Sequence, residues 1–549
     1  MGNKLIFKVL SLLLVLVLLT SVLFGCFDVP DIDSAFTTTT TGDIVTTTKP
    51  IGTTTTPAST TTTTKPTTST TTTTTSGEVV RPEGEHVDAD NDGWCDVRGC
   101  GIYVIETIDF YNFNDLHGKF EDMDNNEGVD ELTTYLENRK NIDDHVVILS
   151  TGDMWQGGTA SNGTHGKIVT DWMNYLGFDA MTLGNHEFDW GQNAIKENVS
   201  AAEFPVLAIN IYDNATGQRV DYCQPSVMIE RGGVQIGIIG AIGDCYSSIS
   251  SDKTQGLKFK VGAELTTLVK AESVKLREAG ADIIVYLIHD GTEWDNVNIS
   301  SYYDMSLSSG GYVDLVFGGH THSYYIEPDA YDVYHLQGGG DNSKGIAHVE
   351  LNVNFANGNI DINVTDYVEV NSIKNLDDAP IVQELLDKYW DEIGWMYDSL
   401  GYNATIRKSN AIKSMVAKLY YEAGVEKWGD KYDIVLAGGS LNTRSPYDLA
   451  AGDVLYGDLQ TILPFDNAIY LCRIKGSNLK SKFLNNSSYT VYSTISSSQV
   501  KDNQYYYIVA DSWTALYAWA ACETIELYDE TTYARDLLAK YIQSGGWSK

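Results

Sequence analysis

Short apolar runs that end abruptly in polar loops are the feature that most restricts the fold of this chain. Between about residues 103 and 370 the runs HVVILSTGD, ADIIVYLIHDG and VDLVFGGHTH pass from buried-strand composition directly into Asp, His and Gly. Segments with helical spacing, such as VTDWMNYLG and AELTTLVKAESVKLREAG, lie between these runs. Strands that alternate with helices predict an α/β domain, in which functional groups collect on loops at strand ends.

Five polar loops at predicted strand ends concentrate reactive side chains. Their sequences are NDLHG, GDMWQGG, GNHEFDWG, LIHDG and GGHTH, and five of the ten histidines of the chain lie in them. Each loop taken alone could be a turn, a surface histidine pair or a loop with a buried histidine whose hydrogen bonds are satisfied. Together they favour a catalytic metal site whose candidate residues are Asp115, His117, Asp153, Asn185, His186, Asp189, His289, His320 and His322.

The side-chain types in these loops indicate which metals they would hold. Imidazole nitrogen with carboxylate and amide oxygen, and no thiolate, suits borderline or harder divalent ions such as zinc or manganese. A carboxylate can bridge two ions about 3.5 to 4 Å apart, and two ions at that separation can act on one phosphoryl group. We therefore expect a binuclear centre with Asp153 as the bridging residue.

In residue type and order, the five loops resemble those of the calcineurin-like metallophosphoesterases, and specifically of the 5'-nucleotidase family. The resemblance implies a four-layer α/β-β/α metallophosphoesterase domain over residues 102–372 and hydrolysis of a phosphate ester. It also implies two sets of metal ligands that share one residue. The first set is Asp115, His117, Asp153 and His322, and the second is Asp153, Asn185, His289 and His320.

His186 then has a role other than metal binding. In phosphate-ester hydrolysis, negative charge develops on the phosphoryl and leaving oxygens, and a nearby imidazolium can stabilise it. Asp189 lies three residues on and would orient and polarise that imidazole, as the His-Asp pair of the family does. We expect Glu187, between them, to be structural.

A second domain is expected after a connecting helix. Residues 373–401 are predicted as the interdomain helix, because Pro380 begins a segment with one apolar face. Residues 402–549 resemble the family's substrate-binding α/β domain through the segments GGSLNTRSP and GDLQTILPFDNAIYLCRIKGSNL. The resemblance implies that Arg407 and Arg444 bind phosphate, that Phe465 stacks on a base and that Asn467 hydrogen-bonds its edge.

This second domain departs from the family pattern at three points. Ala437 replaces the Asn that opens the Gly-rich segment, two residues are inserted before Arg444, and the Gly-Gly-Asp-Gly-aromatic block is absent. The second aromatic of the base clamp is therefore unassigned. Trp513, Tyr517 and Trp519 lie near the right place in chain order, although DSWTALYAWAA could equally be a buried helix.

The N-terminal segment predicts export. A positive start, MGNKLIFK, precedes a long apolar stretch and LFGC, which resembles a bacterial lipobox with Cys26 as the lipidated residue of a signal peptide over residues 1–26. The alternative is an uncleaved membrane anchor, and both place the remainder outside the cytoplasmic membrane. Residues 27–78, nearly all Thr from 37 to 76, are predicted to form a disordered stalk.

Residues 79–101 contain an aspartate-rich segment, DADNDGWCD, and two of the cysteines. Asp88, Asp90, Asp92 and Asp96 around a Gly have the spacing of a calcium loop, so a structural calcium and an acidic linker turn are both open interpretations. Six cysteines remain if Cys26 carries lipid, and Cys95 with Cys100 is the most plausible local disulfide. None of the six shows a zinc-ligand array in the sequence.

Length and net charge indicate the number of domains and argue against one class of partner. At 549 residues the chain exceeds what one core usually organises, which predicts two domains with appendages. The formal net charge of -37 argues against binding a nucleic-acid polymer. The resemblance to the 5'-nucleotidase family implies nucleotide substrates, hydrolysed from nucleoside monophosphate to nucleoside and phosphate, and the N-terminal segment predicts that this occurs at the extracellular face of a bacterial membrane. The sequence says nothing of oligomeric state.

Two other readings of the function remain open. The first stays within hydrolysis, as a 2',3'-cyclic-nucleotide phosphodiesterase or a nucleotide-sugar or diphosphate hydrolase. The second is a surface adhesin or binding protein on the same fold. A decayed enzyme would be expected to have lost ligands, whereas every expected ligand is present here.

Overall fold

The computed structural model describes residues 86–91, 93–98, 100, 102, 104–121, 128–291, 303–340, 345–444, 447–516 and 521–548. These residues fall within one compact unit, Gly77–Lys549. Cys26, the predicted stalk, Asp92, Tyr517 and Trp519 lie outside the described residues. Within the described part of the chain, no helix is long and apolar enough to cross a membrane.

The first sheet carries three of the five polar loops. Its order is β14-β13-β1-β2-β3-β4, in which β1 to β4 are parallel and β13 runs antiparallel to β1. Because parallel strands end at the same edge, the loops after β1, β2 and β3 emerge together. The bounds are β1 Ile105–Phe113, β2 Val146–Ser150, β3 Ala180–Thr182, β4 Val206–Leu207, β13 Ile346–Asn354 and β14 Asn359–Val368.

The second sheet carries the other two loops. Its order is β11-β12-β10-β9-β7-β6, with β7, β9, β10 and β12 parallel, so the ends of β9 and β10 lie side by side. The bounds are β6 Ser226–Arg231, β7 Val234–Ile242, β9 Ile283–His289, β10 Leu315–Gly318, β11 Tyr325–Pro328 and β12 Tyr334–Gln337. A separate pair is formed by β5 Ile211–Asp213 and β8 Leu257–Phe259.

The two sheets pack face to face through one apolar core, with helices on the outer faces. Side chains from β1 and β2, such as Phe110 and Leu149, meet Val285 and Phe317 from the second sheet. Strand β9 is buried along its whole length. A strand that is covered on both faces needs apolar side chains at successive positions, which explains its apolar sequence IIVYLIH. The predicted four-layer α/β-β/α arrangement is confirmed. The helices are α1 Asp130–Ile142, α2 Thr159–Gly163, α3 Lys167–Leu176, α4 Gln192–Ala201 and α5 Ala263–Glu278.

The connecting helix packs on the first domain. After α6 Val370–Ile373, α7 spans Pro380–Ile393 and buries Val382, Leu385 and Ile393 in the outer core of the first sheet. Tyr389 Oη donates to Asp171 Oδ2 of α3 at 2.7 Å, and Lys388 pairs with the same carboxylate. The helix thus packs on the first domain and is shorter than the predicted 373–401.

The second domain is also α/β. Its sheet has the order β19-β16-β20-β18-β21, and α8 buries Ile412, Val416 and Tyr420, spaced by four residues, against it. The strands are β15 Ser399–Asn403, β16 Ile434–Gly439, β17 Gly452–Leu455, β18 Ile469–Lys475, β19 Thr490–Ser493, β20 Tyr505–Asp511 and β21 Cys522–Leu527. The helices are α8 Ser409–Trp428, α9 Tyr456–Ile462, α10 Gly476–Asn478, α11 Ser512–Leu516 and α12 Ala534–Gln543.

Candidate active site

The first group of predicted ligands comes together at the end of β1. Nε2 of His117 lies 3.0 Å from Nε2 of His322, and the latter nitrogen lies 3.5 Å from Oδ1 of Asp115. Burial and the neighbouring His322 hold the pKa of His117 well below its usual value. Two imidazole nitrogens and a carboxylate oxygen that converge on one point form a set of donors that could hold a cation.

The second group lies beside the first. Nε2 of His289 is 3.1 Å from Oδ2 of Asp153 and 3.2 Å from Oδ1 of Asn185. Nδ1 of His320 lies 2.9 Å from the same Asn185 oxygen. The structure therefore brings together the four side chains predicted as the second ligand set.

Asp153 lies between the two groups. Its Oδ2 is 4.0 Å from Nε2 of His117 and 3.1 Å from Nε2 of His289, so one carboxylate oxygen faces both sets of donors. Burial would raise the pKa of Asp153, but the surrounding histidines outweigh it and hold that pKa well below the usual range. This position suits a bridging carboxylate.

The rings of the candidate ligands are oriented by backbone carbonyls. Nδ1 of His289 faces the Thr151 carbonyl at 2.6 Å, and Nδ1 of His117 faces the Gln156 carbonyl at 3.1 Å. A proton on Nδ1 leaves Nε2 as a lone-pair donor directed into the site, which is the arrangement typical of metal-binding histidines. The residues present therefore fit a pair of divalent ions.

The loops hold these side chains in an unusual backbone conformation. Non-glycine residues with positive φ are uncommon and cluster at functional sites, where the surrounding structure stabilises them. Gly184 is required for a related reason, since a Cβ there would lie 2.3 Å from Oδ1 of Asp153. The ligand-loop residues with positive φ are Asp115 (52°), His117 (50°), Asp153 (54°), His320 (73°) and His322 (52°).

Glu187 joins two of the loops. Its buried carboxylate accepts hydrogen bonds from the backbone N–H of Asp153 at 2.9 Å, Met154 at 2.8 Å and Gly184 at 2.6 Å. Burial raises the pKa of Glu187 to about 7, and the nearby Asp153 adds to this. Glu187 thus positions the loop that presents Asp153, a connection between distant residues that their spacing in the chain does not reveal.

His186 faces the space beside these groups. Its Nδ1 lies 2.9 Å from Oδ2 of Asp189, as the predicted His-Asp pair requires. Burial would lower the pKa of His186, but the charges of Asp189 and Asp153 outweigh it and raise that pKa. Nε2 of His186 is 2.6 Å from Nη2 of Arg444, a residue of the second domain.

One pocket is lined by both domains. The first domain contributes Asn185, His186 and His320, and the second contributes Arg444, Phe465 and Asn467. The guanidinium of Arg444 lies 5.6 Å from the centre of the Phe465 ring. Three of the four substrate-binding residues predicted from the sequence are therefore next to the candidate metal ligands.

Two further side chains in this pocket were not assigned from the sequence. Trp513, at the start of α11, lines it together with Phe465, whereas the other aromatic candidates, Tyr517 and Trp519, lie outside the described residues. Lys253, from the loop before β8, brings a second cation into the pocket. Neither residue belongs to one of the five motif loops, which is why the motifs alone did not identify them.

Arg407 is placed elsewhere in the second domain. Its Nε donates to Asn403 Oδ1 at 3.0 Å, and its Nη2 donates to the Trp547 carbonyl at 3.3 Å. The guanidinium also lies 5.2 Å from the centre of the Trp547 ring, and Arg407 does not line the pocket that contains Arg444. Phosphate binding by Arg407 stays a prediction that this position does not favour.

The aspartate-rich segment packs against the hairpin between β13 and β14. Oδ2 of Asp88 accepts from the backbone N–H of Gly93 at 3.1 Å and from Asn354 Nδ2 at 2.7 Å. Oδ2 of Asp96 accepts from the backbone N–H of Ala89 at 2.7 Å. The carboxylates thus hold the loop itself. Calcium binding by Asp88, Asp90, Asp92 and Asp96 remains untested, since Asp92 is not among the described residues.

Two family models match this chain. Residues 108–324 match the calcineurin-like phosphoesterase family, and residues 396–512 match the 5'-nucleotidase C-terminal domain. The first match spans all five polar loops, and the second includes Arg444, Phe465 and Asn467. Each domain therefore has a family match that includes its candidate functional residues.

Individual relatives and solved structures are similar to this chain over different shares of its length. An apyrase of Tabanus yao is 32% identical over 229 residues, which cover 40% of this chain and 39% of the apyrase. A 5'-nucleotidase of Rattus norvegicus is 26% identical over 440 residues, which cover 71% of this chain and 72% of that protein. The structure of a 5'-nucleotidase precursor from Thermus thermophilus superposes with a TM-score of 0.61 at 16% identity, covering 80% of this chain and 96% of the other. That likeness supports the two-domain fold.

Proposed function

We propose that this chain, whose two domains match the calcineurin-like phosphoesterase family and the 5'-nucleotidase C-terminal domain, is a phosphoric ester hydrolase that converts extracellular nucleoside monophosphates to nucleosides and phosphate. One observation carries this proposal. The pocket that contains Asn185 and His320 of the candidate metal site also contains Arg444 and Phe465 of the second domain. A phosphate ester with an aromatic base matches both halves of such a pocket.

The chemistry divides between the metal site and the side chains around it. Two divalent ions, zinc or manganese, held by the donors around Asp153 would polarise a phosphoryl oxygen and make a water molecule nucleophilic at neutral pH. Arg444 would bind the phosphate oxygens through its fork of N–H donors. His186, held by Asp189 at 2.9 Å, would stabilise the negative charge that develops during P–O cleavage.

Substrate binding would change the contact between Arg444 and His186. Arg444 donates to Nε2 of His186 only while that nitrogen is unprotonated. A phosphate entering the pocket offers oxygens that accept from both side chains, and it also favours the protonated imidazole. The raised pKa of His186, due to Asp189 and Asp153 against the effect of burial, is consistent with this role.

The base would lie between aromatic side chains. Phe465 and Trp513 line the same pocket, and Oδ1 of Asn467, which lies between β18 and the Phe465 turn, accepts from Ser512 Oγ at 3.4 Å. Stacking tolerates any base, because every base has an aromatic face. We therefore expect limited discrimination among the common bases.

The proposed location follows from the N-terminal sequence. A lipid at Cys26 and the Thr-rich stretch that follows would tether the two domains outside the cytoplasmic membrane. Nucleotides do not cross membranes readily, whereas nucleosides have dedicated uptake. Dephosphorylation at the surface would therefore serve salvage.

A second candidate activity is favoured by Lys253. Its presence in the pocket with Arg444 provides two cations, which suits a substrate with a second phosphate, such as a nucleoside diphosphate or a nucleotide sugar. The loop that holds Lys253 belongs to the first domain and lies outside the five motif loops. The same assay distinguishes the two activities.

The test is hydrolysis by the purified chain of a panel of AMP, ADP, UDP-glucose and 2',3'-cyclic AMP, with the nucleotide and nucleoside products separated by chromatography and free phosphate measured alongside. We expect release from AMP that a chelator abolishes and that added zinc or manganese restores. Faster turnover of ADP or UDP-glucose would favour the second candidate. No hydrolysis of any substrate with either metal would contradict the enzymatic proposal and favour a binding protein on this fold.

A further inference from the structure

A second, separate group of metal-binding side chains lies in the segment that precedes β1. Nδ1 of His86 is 3.3 Å from Sγ of Cys100, and the donor atoms of His86, Cys95 and Cys100 all lie within 4.8 Å of one another. Cys95 is 8% exposed, and the other two residues are half-buried. All three side chains come from one short segment that has little apolar core of its own.

The backbone brings these residues together by a series of hydrogen bonds. The N–H of Cys95 donates to the Ile102 carbonyl at 2.9 Å, and the N–H of Cys100 donates to the Val97 carbonyl at 2.9 Å. On the other side, the N–H of Asp96 donates to the Val87 carbonyl at 2.6 Å, which carries the chain past His86. His86 precedes both cysteines in the chain and comes next to them only because the segment folds back on itself. The sequence therefore showed no zinc-ligand array here.

We propose that His86, Cys95 and Cys100 bind a structural zinc ion. Two sulfurs and one imidazole nitrogen form a set that zinc prefers, and four residues separate the cysteines, within the spacing common in zinc sites. Both thiols give up their protons to solvent as two Zn–S bonds and one Zn–N bond form. One position of the tetrahedron remains for water or another donor.

This site differs from the candidate active site in place and in chemistry. The active-site loops follow the C-terminal end of β1, whereas the cysteines precede its N-terminal end. The nine residues of β1 separate the two by about 30 Å. The active-site donors that we propose are oxygen and nitrogen, whereas two of the three donors of the second site are sulfur.

The site would fasten the segment to the catalytic domain. The ring of His86 packs edge-on against Phe355, with ring centres 6.0 Å apart, and Asn354 Nδ2 donates to Asp88 Oδ2 at 2.7 Å. The N–H of Phe355 donates to the Val104 carbonyl at 3.0 Å, so the segment is joined to the end of β13. A metal ion would lock this contact between the segment and the first domain.

A disulfide between Cys95 and Cys100 is the competing state. Both cysteines are free thiols in the structure, and the disulfide expected from the sequence is not formed. A disulfide needs only the two sulfurs, whereas here an imidazole nitrogen is directed at the same point. The third donor is what favours the metal.

Cobalt(II) is the probe that separates this site from the active site. We load the reduced, metal-free full-length protein with Co²⁺ and record near-ultraviolet absorption, where sulfur-to-cobalt charge transfer appears only for thiolate ligands. We expect a strong band in the wild-type protein and its loss in C95S, C100S and H86A variants. The control is Cys245→Ala, because the thiol of Cys245 lies near His289 and His320 and is another sulfur that could give such a band; that variant should keep it.

A second measurement avoids reliance on substitutions. The zinc-loaded native protein is treated with iodoacetamide, with and without chelator, and the alkylated cysteines are mapped by mass spectrometry. We expect protection of Cys95 and Cys100 that the chelator removes. Absence of the cobalt band after reduction, its survival in the C95S variant, or equal alkylation with and without chelator would each overturn the proposal. None of these readouts depends on nucleotide hydrolysis.

Discussion

Nη2 of Arg444 lies 2.6 Å from Nε2 of His186, so a guanidinium of the second domain is hydrogen-bonded to an imidazole of the first. The phenyl ring of Phe465 is close to both, with its centre 6.0 Å from that of the His186 ring. The contact places the proposed phosphate-binding and charge-stabilising groups next to each other in the wall of one pocket. The following predictions begin from that arrangement.

Replacement of His186 should reduce turnover more than binding. In His186→Ala we expect kcat to fall about 10²- to 10⁴-fold, because the group acts on charge that develops in the transition state, while KM changes little. Steady-state phosphate release from AMP measures both constants. Asp189→Asn should give a smaller loss, since it only orients the ring. An unchanged kcat in His186→Ala would contradict the assignment, although the metal site alone should sustain some residual rate.

The two arginines should behave differently. Arg444→Ala should lower kcat/KM about 10- to 100-fold, because a charged hydrogen bond to phosphate is worth about 1.5 to 3 kcal/mol. Arg407→Ala is the matched control, since its guanidinium contacts Asn403 and Trp547 outside the pocket. It should leave kcat/KM within about twofold. A loss in Arg407→Ala equal to that in Arg444→Ala would favour the assignment made from the sequence instead.

The aromatic residues should matter only for substrates with a base. Phe465→Ala and Trp513→Ala should each raise KM for AMP by about 5- to 150-fold, since stacking of one base contributes about 1 to 3 kcal/mol. Ribose 5-phosphate is the control substrate, because it has the same sugar phosphate without a base. Its kinetic constants should stay near wild type in both variants. Equal losses for the two substrates would point to a collapsed pocket.

His348 should stabilise the fold in a pH-dependent manner. Burial would lower the pKa of His348, but hydrogen bonds to Asp109 at 2.7 Å and Asp366 at 2.6 Å outweigh it and raise that pKa. The stabilisation is therefore complete below the ordinary histidine pKa of about 6.5 and is lost as pH rises through the higher value of the folded state. In His348→Gln we expect Tm to fall by about 2 to 4 °C at pH 6 and by less at pH 9.

His335 provides a control of opposite sign. Its Nε2 lies 3.3 Å from Oδ2 of Asp329, but burial dominates and lowers the pKa of His335. The folded protein therefore favours the neutral imidazole. Its contribution is present above the ordinary pKa and is lost as pH falls. The Tm deficit of His335→Gln should therefore be larger at pH 8 than at pH 5. Parallel pH trends in the two variants, measured by thermal unfolding, would contradict both assignments.

The sequence alone identified the residues that meet at the candidate site of the first domain. The loops at strand ends could be recognised because a buried parallel strand has a local sequence pattern. The residues that follow such a strand lie at the carboxyl edge of the sheet. The side-chain types in those loops then predicted a metal site, and the resemblance of the loops to the family predicted ester hydrolysis. His289 and Asp153, far apart in the chain, lie 3.1 Å apart as that reasoning required.

Only the tertiary structure decided which residues of the second domain reach the site. Arg407 and Arg444 both lie in segments that resemble the family, yet one packs on Trp547 and the other contacts His186. Trp513 lines the pocket from α11, which directly follows the end of β20. No local pattern encodes such placement, since it depends on how two separately formed domains pack.

The same reason explains Glu187 and the cysteine cluster. Glu187 serves backbone N–H groups of a loop that precedes it by about thirty residues of chain, and His86 meets Cys100 only after the segment folds back on itself. Periodicity and motif spacing report which residues share a strand or loop. Hydrogen bonds between loops, and the burial that makes them strong, exist only once the chain has packed.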